Sequence, residues 1–198
     1  MSEGFARMDD GSDESAETMI LTGQVTDENG QPVANAVVDV WHANTMGNYS
    51  YFDQSQTDYN LRRRIKTDEN GRYTARSIIP AGYGCPPEGS TQALLNLLGR
   101  HGNRPAHIHF FISKPGYKHL TTQINLAGDE YTYDDFAFAT REELVVEANR
   151  IEDPAKAEQF GLNKPFTEVE FNIQLVATDK PELQSRHERK RALEGEAA

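Results

Sequence analysis

The chain has 198 residues, with 20 Lys or Arg against 31 Asp or Glu and a formal net charge of -11. This length suits one domain with its own core, and the negative balance argues against non-specific binding to nucleic acid or anionic membranes. A single cysteine, Cys85, excludes an intrachain disulfide framework and a cysteine-based zinc cluster. The sequence has neither a run of roughly 18 apolar residues nor a signal-peptide pattern, so we expect no membrane span and a cytoplasmic location.

The distribution of polar residues divides the chain into three segments. Residues 1–17 are small, polar and acidic, and they predict a mobile N-terminal arm. Residues 178–198 are rich in charge and predict a solvated tail without a functional site. We expect the single folded domain to span residues 18–177.

Short apolar runs and turn signals dominate this domain. Strands are predicted over 19–26 and 37–41, and a long alternating strand over 166–176. The sequence Asp-Glu-Asn-Gly at 68–71 lies between two alternating runs and predicts a hairpin with one solvated face. Seven or eight such strands indicate an all-β sandwich or barrel.

The remaining segments are loops and one short helix. The 43–60 segment is too long for a simple connection, and the Gly- and Pro-rich 79–89 segment cannot form a regular element. Four leucines within the 91–98 segment predict a short amphipathic helix with Thr91 as a possible cap. The 142–151 segment suits either a strand or a helix.

Two histidines begin a buried strand near the middle of the chain. Pro105 suits the start of a strand, and an apolar, aromatic run follows it. Because side chains two apart share a face of a strand, His107 and His109 point the same way and Ile108 points the other way. Such a pair can hold a metal ion, or it can be two hydrogen-bonded core histidines.

Tyrosines in the two long loops are further candidate ligands. Tyr83 lies between two glycines, where it has little packing of its own, and Tyr49 and Tyr51 lie in the 43–60 loop. A phenol becomes a ligand only if a strongly charged cation removes its proton. Ferric iron prefers anionic oxygen ligands, and tyrosinate is one of its known ligands. Two tyrosinates and two imidazoles would leave one net positive charge.

Five stretches together give the sequence a family resemblance. They are VWHAN to NYS at 40–50, PAGYGCPP at 80–87, GRHGNRPAHIH at 99–109, LTTQIN at 120–125 and YTYDDFA at 131–137. In their order, their spacing and their flanking residues, these stretches resemble the catechol 1,2-dioxygenase branch of the intradiol ring-cleaving dioxygenases, and the resemblance runs from about residue 2 to about residue 176. It implies a prealbumin-like β-sandwich with long loops, a short helix and a metal site between loops and strands.

The resemblance also implies roles for particular residues. Tyr49, Tyr83, His107 and His109 match the four ligands of a non-haem Fe(III). Tyr83 matches the ligand that leaves the metal and takes a proton when catechol binds as a chelating dianion. The family cleaves catechol with O2 to cis,cis-muconate in aromatic compound degradation.

Two more residues match family positions next to the metal. Arg104 matches an arginine over the substrate ring, where a permanent positive charge can stabilise carbanion character. Gln123 matches a glutamine that orients the ligands. Cys85 would line the pocket, and we expect His42, His101 and His119 not to be ligands.

The chain differs from the family at both ends. Family members are longer at the N-terminus, where a helical linker domain carries the dimer interface, a lipid-binding tunnel and part of the pocket wall. This chain begins with a stretch that matches an internal part of the family. We therefore expect a catalytic domain without that helical domain, in which homodimerisation by the family's route is doubtful. The charged C-terminal extension has no counterpart.

Three other functions remain open. The stretches at 23–27 and 30–38 resemble the opening of prealbumin-like domains, many of which only bind or connect. A zinc hydrolase could also use the His-X-His pair, but it would be colourless, whereas ferric tyrosinate absorbs visible light. Within the family, hydroxyquinol or chlorocatechol 1,2-dioxygenase is the close alternative.

Overall fold

Two β-sheets pack on each other in a computed structural model of the protein, which describes residues 2–179. One hydrophobic core lies between them and takes buried side chains from both sheets. Leu21 and Tyr73 come from one sheet, and Val40 and Phe110 from the other. The predicted all-β sandwich is confirmed.

The first sheet carries the candidate site on its outer face. Its pairs are antiparallel apart from those made by the two edge strands, which are parallel. In spatial order its strands are β1 (Ser2–Glu3), β5 (Arg62–Lys66), β4 (Val37–His42), β9 (His107–Ser113), β10 (Leu120–Leu126) and β11 (Val145–Val146).

The second sheet closes the other side of the core, and a small two-stranded sheet lies over the site. The second sheet consists of β12 (Asn149–Ile151), β13 (Phe166–Glu170), β3 (Thr18–Thr26), β6 (Arg72–Ile78) and β2 (Phe5–Arg7), with β14 (Ile173–Gln174) also beside β3; the small sheet pairs β7 (Tyr83–Gly84) with β8 (Asn103–Arg104).

The turn at 68–71 connects the two sheets, so the predicted hairpin is wrong. Asp68 Oδ1 accepts hydrogen bonds from the backbone N–H groups of Asn70 and Arg72, and Gly71 has a φ of 70°, as the sequence leads one to expect of a turn. β5, however, pairs with β4, while β6 pairs with β3 and β2. Local turn chemistry is the same in both arrangements, and packing of the two sheets decides between them.

The alternating run at 166–176 is divided into β13 and β14, where one long strand was expected. Both run parallel to β3, and the break falls at Phe171 and Asn172. The Phe171 carbonyl accepts a hydrogen bond from the Tyr73 hydroxyl at 2.7 Å, and Asn172 Oδ1 accepts one from the backbone of Gln24. These bonds satisfy backbone groups that a continuous ladder would otherwise pair.

Helical structure is short. The predicted helix forms as α1 (Ser90–Leu97), but Gly89 stands at its N-cap, so Thr91 does not cap it. Leu95 is buried, while the neighbouring leucines are exposed. The ambiguous 142–151 segment contains a 3-10 turn (Glu142–Leu144) followed by β11 and β12, and α2 (Pro154–Glu158) begins after the capping side chain of Asp153.

Residues 2–8 are part of the sandwich, although the sequence predicted a mobile arm there. β1 pairs with β5, and β2 pairs with β6. Ala6 and Met8 are buried in the core, which gives this segment a hydrophobic anchor. Of the tail predicted at 178–198, the residues after position 179 lie outside the part of the chain that the structure describes. Within residues 2–179, no helix is long and apolar enough to cross a membrane.

Candidate metal centre

The histidine pair lies on the middle of the first sheet. β9 runs between β4 and β10, and its alternation buries Ile108 in the core while both imidazoles face outward under the loops. The ring centroids of His107 and His109 are 4.7 Å apart. His107 Nδ1 lies 2.7 Å from the Pro105 carbonyl, and because a carbonyl only accepts, Nδ1 carries the proton. The Nε2 lone pair of His107 therefore faces the site.

A short strand pair places Tyr83 beside these histidines. Tyr83 in β7 pairs with Arg104 in β8, three residues before His107. Its ring centroid lies 5.2 Å from that of His107. The adjacent Gly82 is required by close approach, because a Cβ there would lie 2.4 Å from the Arg104 carbonyl oxygen.

The long loop brings Tyr49 to the same place. Asn44 is buried at the start of the loop, and its Oδ1 accepts hydrogen bonds from the backbone of Met46 and Asn48. The Tyr49 hydroxyl then lies 3.3 Å from His107 Nε2. Tyr51, the other candidate two residues later, is 88% exposed, and its ring meets that of its neighbour Phe52 edge to face.

Gly47 allows this loop to reach the Tyr83 loop. Its φ is 79°, and an added Cβ would lie 2.7 Å from the Gly82 carbonyl oxygen and 2.8 Å from the Tyr83 Cβ. The two tyrosine rings consequently meet edge to face, with centroids 5.5 Å apart. A side chain at position 47 would push the two loops apart.

Burial keeps three of the candidate ligands, His107, His109 and Tyr49, uncharged in the protein alone. It lowers the pKa of His107 to about 4, with help from the Arg104 charge, and that of His109 to about 3, with help from His107. Burial also raises the pKa of Tyr49, and the neighbouring Tyr83 adds to the effect. At neutral pH each of these imidazoles is neutral and has one nitrogen lone pair with which it can bind a metal, whereas a cation must displace the phenol proton of Tyr49.

Arg104 connects the site to a buried carboxylate. Its Nε and Nη2 each lie 3.1 Å from an oxygen of Asp135, its Nη2 also donates to Gln123 Oε1 at 3.1 Å, and its Nη1 donates to His107 Nε2 at 3.1 Å. Burial disfavours the charged guanidinium, but hydrogen bonds with Asp135 and Tyr83 outweigh this and raise the pKa of Arg104. The guanidinium is therefore fixed and charged at the edge of the site.

Sequence reasoning missed Asp135. Its side chain is 1% exposed, and its oxygens also accept hydrogen bonds from the backbone of Ala137 and Ala139. The adjacent Asp134 is 79% exposed and pairs with His101. Two consecutive acidic residues gave no local sign of which one faces the site, since the contact with Arg104 spans 31 positions.

A cavity of about 690 Å³ opens beside the tyrosines. Its walls include the predicted residues Tyr49, Tyr83 and Arg104, together with Cys85, the exposed Phe52 and the half-buried Phe136. Gln123 lies behind Arg104, and its amide nitrogen donates to Asn125 Oδ1. All the predicted site residues thus lie together, with Cys85 on the cavity wall.

The other histidines have partners away from the cavity. His42 is buried, with Nε2 2.7 Å from the Ser77 hydroxyl, and burial lowers its pKa to about 4. His101 pairs with Asp134 at 3.0 Å, and the His119 ring contacts Phe111.

The donor set suits a hard trivalent ion. Within residues 2–179, no three His, Cys, Asp or Glu side chains converge as a metal cluster. The converging donors are two neutral imidazoles and two phenols, and phenols become ligands only on losing their protons to a strongly charged cation. The residues present therefore fit Fe(III) better than zinc, which favours imidazole with carboxylate or thiolate.

Comparison with known proteins defines the class of this molecule. The sequence model of the family described as Dioxygenase matches residues 1–177, so the chain belongs to that dioxygenase family. It is 60% identical to a catechol 1,2-dioxygenase of Pseudomonas sp. (strain EST1001) over 93% of this chain and 61% of that protein, and 59% identical to one of Acinetobacter guillouiae over 88% and 58%.

A solved structure agrees with these relatives. The crystal structure of wild-type Acinetobacter radioresistens catechol 1,2 dioxygenase matches with a TM-score of 0.90 and 57% identity, and the match covers 95% of this chain and 61% of that one. The chain thus spans about three fifths of the length of the relatives that it matches.

Proposed function

We propose that this chain is the catalytic part of a catechol 1,2-dioxygenase that cleaves catechol with O2 to cis,cis-muconate at a non-haem Fe(III). The observation that carries the proposal is the convergence of Tyr49, Tyr83, His107 and His109 from two loops and one strand on a single point beside a cavity. The high identity to proteins named catechol 1,2-dioxygenase supports it.

The imidazoles would hold the metal through neutral nitrogens, and the phenols through oxygens that have lost their protons. Ferric iron bound there would supply Lewis acidity, which draws electron density from a chelated catechol so that its ring reacts with O2. Tyr83 lies on the cavity wall, where its phenolate oxygen can take one catechol proton. Both oxygen atoms of O2 end in the product.

Arg104 would act on the substrate ring. A metal held by His107 Nε2 would use the lone pair that now accepts a hydrogen bond from Arg104 Nη1, and this N–H would then be available to the cavity. Asp135 holds the opposite edge of the guanidinium, which keeps the positive charge in place where carbanion character develops. Gln123 would orient Arg104 through its amide oxygen.

Visible spectroscopy of the iron-loaded protein tests the site. We expect a tyrosinate-to-iron band that shifts when catechol is added without O2, and that weakens strongly in Tyr49→Phe and Tyr83→Phe. Tyr51→Phe is the matched control, because this exposed tyrosine stands two residues from Tyr49 and should leave the band unchanged. A colourless protein with iron supplied would contradict the proposal and favour a binding module or a zinc hydrolase.

A substrate panel tests the choice of catechol. Oxygen uptake with catechol, hydroxyquinol and 3-chlorocatechol should show the highest kcat/KM for catechol. A higher value for either of the others would move the assignment to the hydroxyquinol or chlorocatechol enzymes. A cytoplasmic location and the oligomeric state stay predictions.

A further inference from the structure

A row of four side chains crosses the outer face of the first sheet and ends at the candidate metal centre. Trp41 in β4 lies opposite Arg62 in β5 on one side and opposite His109 in β9 on the other, and His109 in turn lies opposite Gln123 in β10. Directly paired residues on neighbouring strands project from the same face. The register therefore places an indole between a guanidinium and a candidate ligand.

The contacts within this row are those of stacked rings. The indole and the imidazole of His109 have centroids 4.9 Å apart, and their planes differ by only 10°. The Arg62 Cζ lies 4.8 Å from the indole centroid, and its Nη2 is 3.1 Å from Asp39 Oδ2, a buried carboxylate. Because β4 lies between β5 and β9, Arg62 and His109 contact the indole from opposite sides.

The two candidate imidazole ligands are oriented by different means. His107 has the usual arrangement, in which the ring nitrogen away from the metal is held by a carbonyl, that of Pro105. His109 has no such bond, since no hydrogen bond within residues 2–179 holds either of its ring nitrogens. A nearly parallel indole with its centroid 4.9 Å away opposes rotation of the imidazole out of its plane, because the turning ring would meet the indole face. For His109, stacking takes the place of the hydrogen bond.

We propose that Trp41 is the positioning residue of His109, and that it fixes the plane of this imidazole for metal binding. The inference rests on the proposed iron site. Trp41 supplies no atom that binds the metal, and it acts on the site through ring stacking. Trp41 is also the only tryptophan in the chain, so its fluorescence reports on events at His109.

The test compares three variants by iron affinity, measured by titration with ferric iron against a competing chelator. Trp41→Leu keeps an apolar side chain but removes the ring, and we expect iron affinity to fall about 10- to 100-fold, as it does when an orienting partner of a ligand is lost. Trp41→Phe keeps a ring that can stack and should stay within about threefold of the wild type. The wild-type tryptophan fluorescence should fall as iron binds, because the coloured centre adjoins the indole.

Phe110→Leu is the matched control for loss of stability. Phe110 is the neighbour of His109 in β9, but it is buried in the core on the opposite face. This variant should melt at a lower temperature and keep iron affinity within about threefold. NMR of the metal-free proteins gives a second readout: the ring protons of His109 should lose their upfield shift in Trp41→Leu and keep it in Phe110→Leu.

The outcomes separate this inference from the function on which it rests. If Trp41→Leu binds iron within threefold of the wild type, or if Phe110→Leu loses as much affinity as Trp41→Leu, the positioning role is overturned while the iron site stands. If the wild-type protein binds no ferric iron, both the site and the positioning role are overturned.

Discussion

The buried pair between Arg104 and Asp135 allows a quantitative prediction. Two hydrogen bonds of 3.1 Å join them, and their side chains are only 10% and 1% exposed. Asp135→Asn removes the negative charge and leaves a largely buried guanidinium without its anion. Breaking a buried pair from one side costs about 3–5 kcal/mol, and we expect the lower end because Asn keeps one oxygen that can accept from Arg104.

The matched control is Asp134→Asn, the same change one residue earlier. Asp134 is 79% exposed and pairs with a half-buried His101, so its loss should cost about 1 kcal/mol or less. For a protein of this size, each kcal/mol corresponds to about 2–4 °C in Tm. We therefore expect Tm to fall by about 6–12 °C in Asp135→Asn and by no more than about 4 °C in Asp134→Asn.

Thermal unfolding followed by circular dichroism, with both variants measured side by side, checks this expectation. Activity gives a second measurement, because a misplaced Arg104 should lower kcat/KM for catechol by about 100-fold, the size of effect that a small displacement at an active site produces. A Tm for Asp135→Asn within 2 °C of that for Asp134→Asn would refute the argument that Arg104 depends on a buried carboxylate.

Two further perturbations follow from the structure. Gly47→Ala should weaken the tyrosinate band and cost about 1–3 kcal/mol through its clash with the facing loop, whereas Gly30→Ala, with a similar φ of 76° and nothing within 4 Å, should leave the band unchanged. The pKa of buried His42 is lowered from 6.5 to about 4, so the unfolded chain takes up this proton first as the pH falls. His42 therefore contributes stability above pH 6.5 that is lost between pH 6.5 and 4, about 3 kcal/mol in all. Urea unfolding at pH 7 and 4.5 should show a smaller loss for His42→Gln than for the wild type; an equal loss would count against a neutral buried imidazole.

Much of the fold was predictable from the sequence, because the alternation of residues that predicts a strand is a local pattern. Alternation placed the side chains of His107 and Ile108 on opposite faces, and the structure buries Ile108 in the core while the histidine faces the loops. Turn chemistry likewise predicted the sharp bend at Gly71, which has a positive φ. These signals act over two to four residues, which is why one sequence is enough to detect them.

Pairing between distant segments was not predictable in this way. Nothing local indicates that β5 and β6 belong to different sheets, or that residues 2–8 add a strand to each sheet. Those outcomes depend on which apolar faces are buried together, and this is a property of the whole core.

The candidate site likewise has features that the local sequence predicts and features that only tertiary packing decides. The sequence by itself determined the types of donor and the strand face from which the two imidazoles project, since both follow from residue chemistry and a period of two. The tertiary structure decided which of two adjacent aspartates holds Arg104, and that Trp41 stacks on His109. The physical reason is that strand register and loop packing bring together residues tens of positions apart, and no spacing along the chain encodes that proximity.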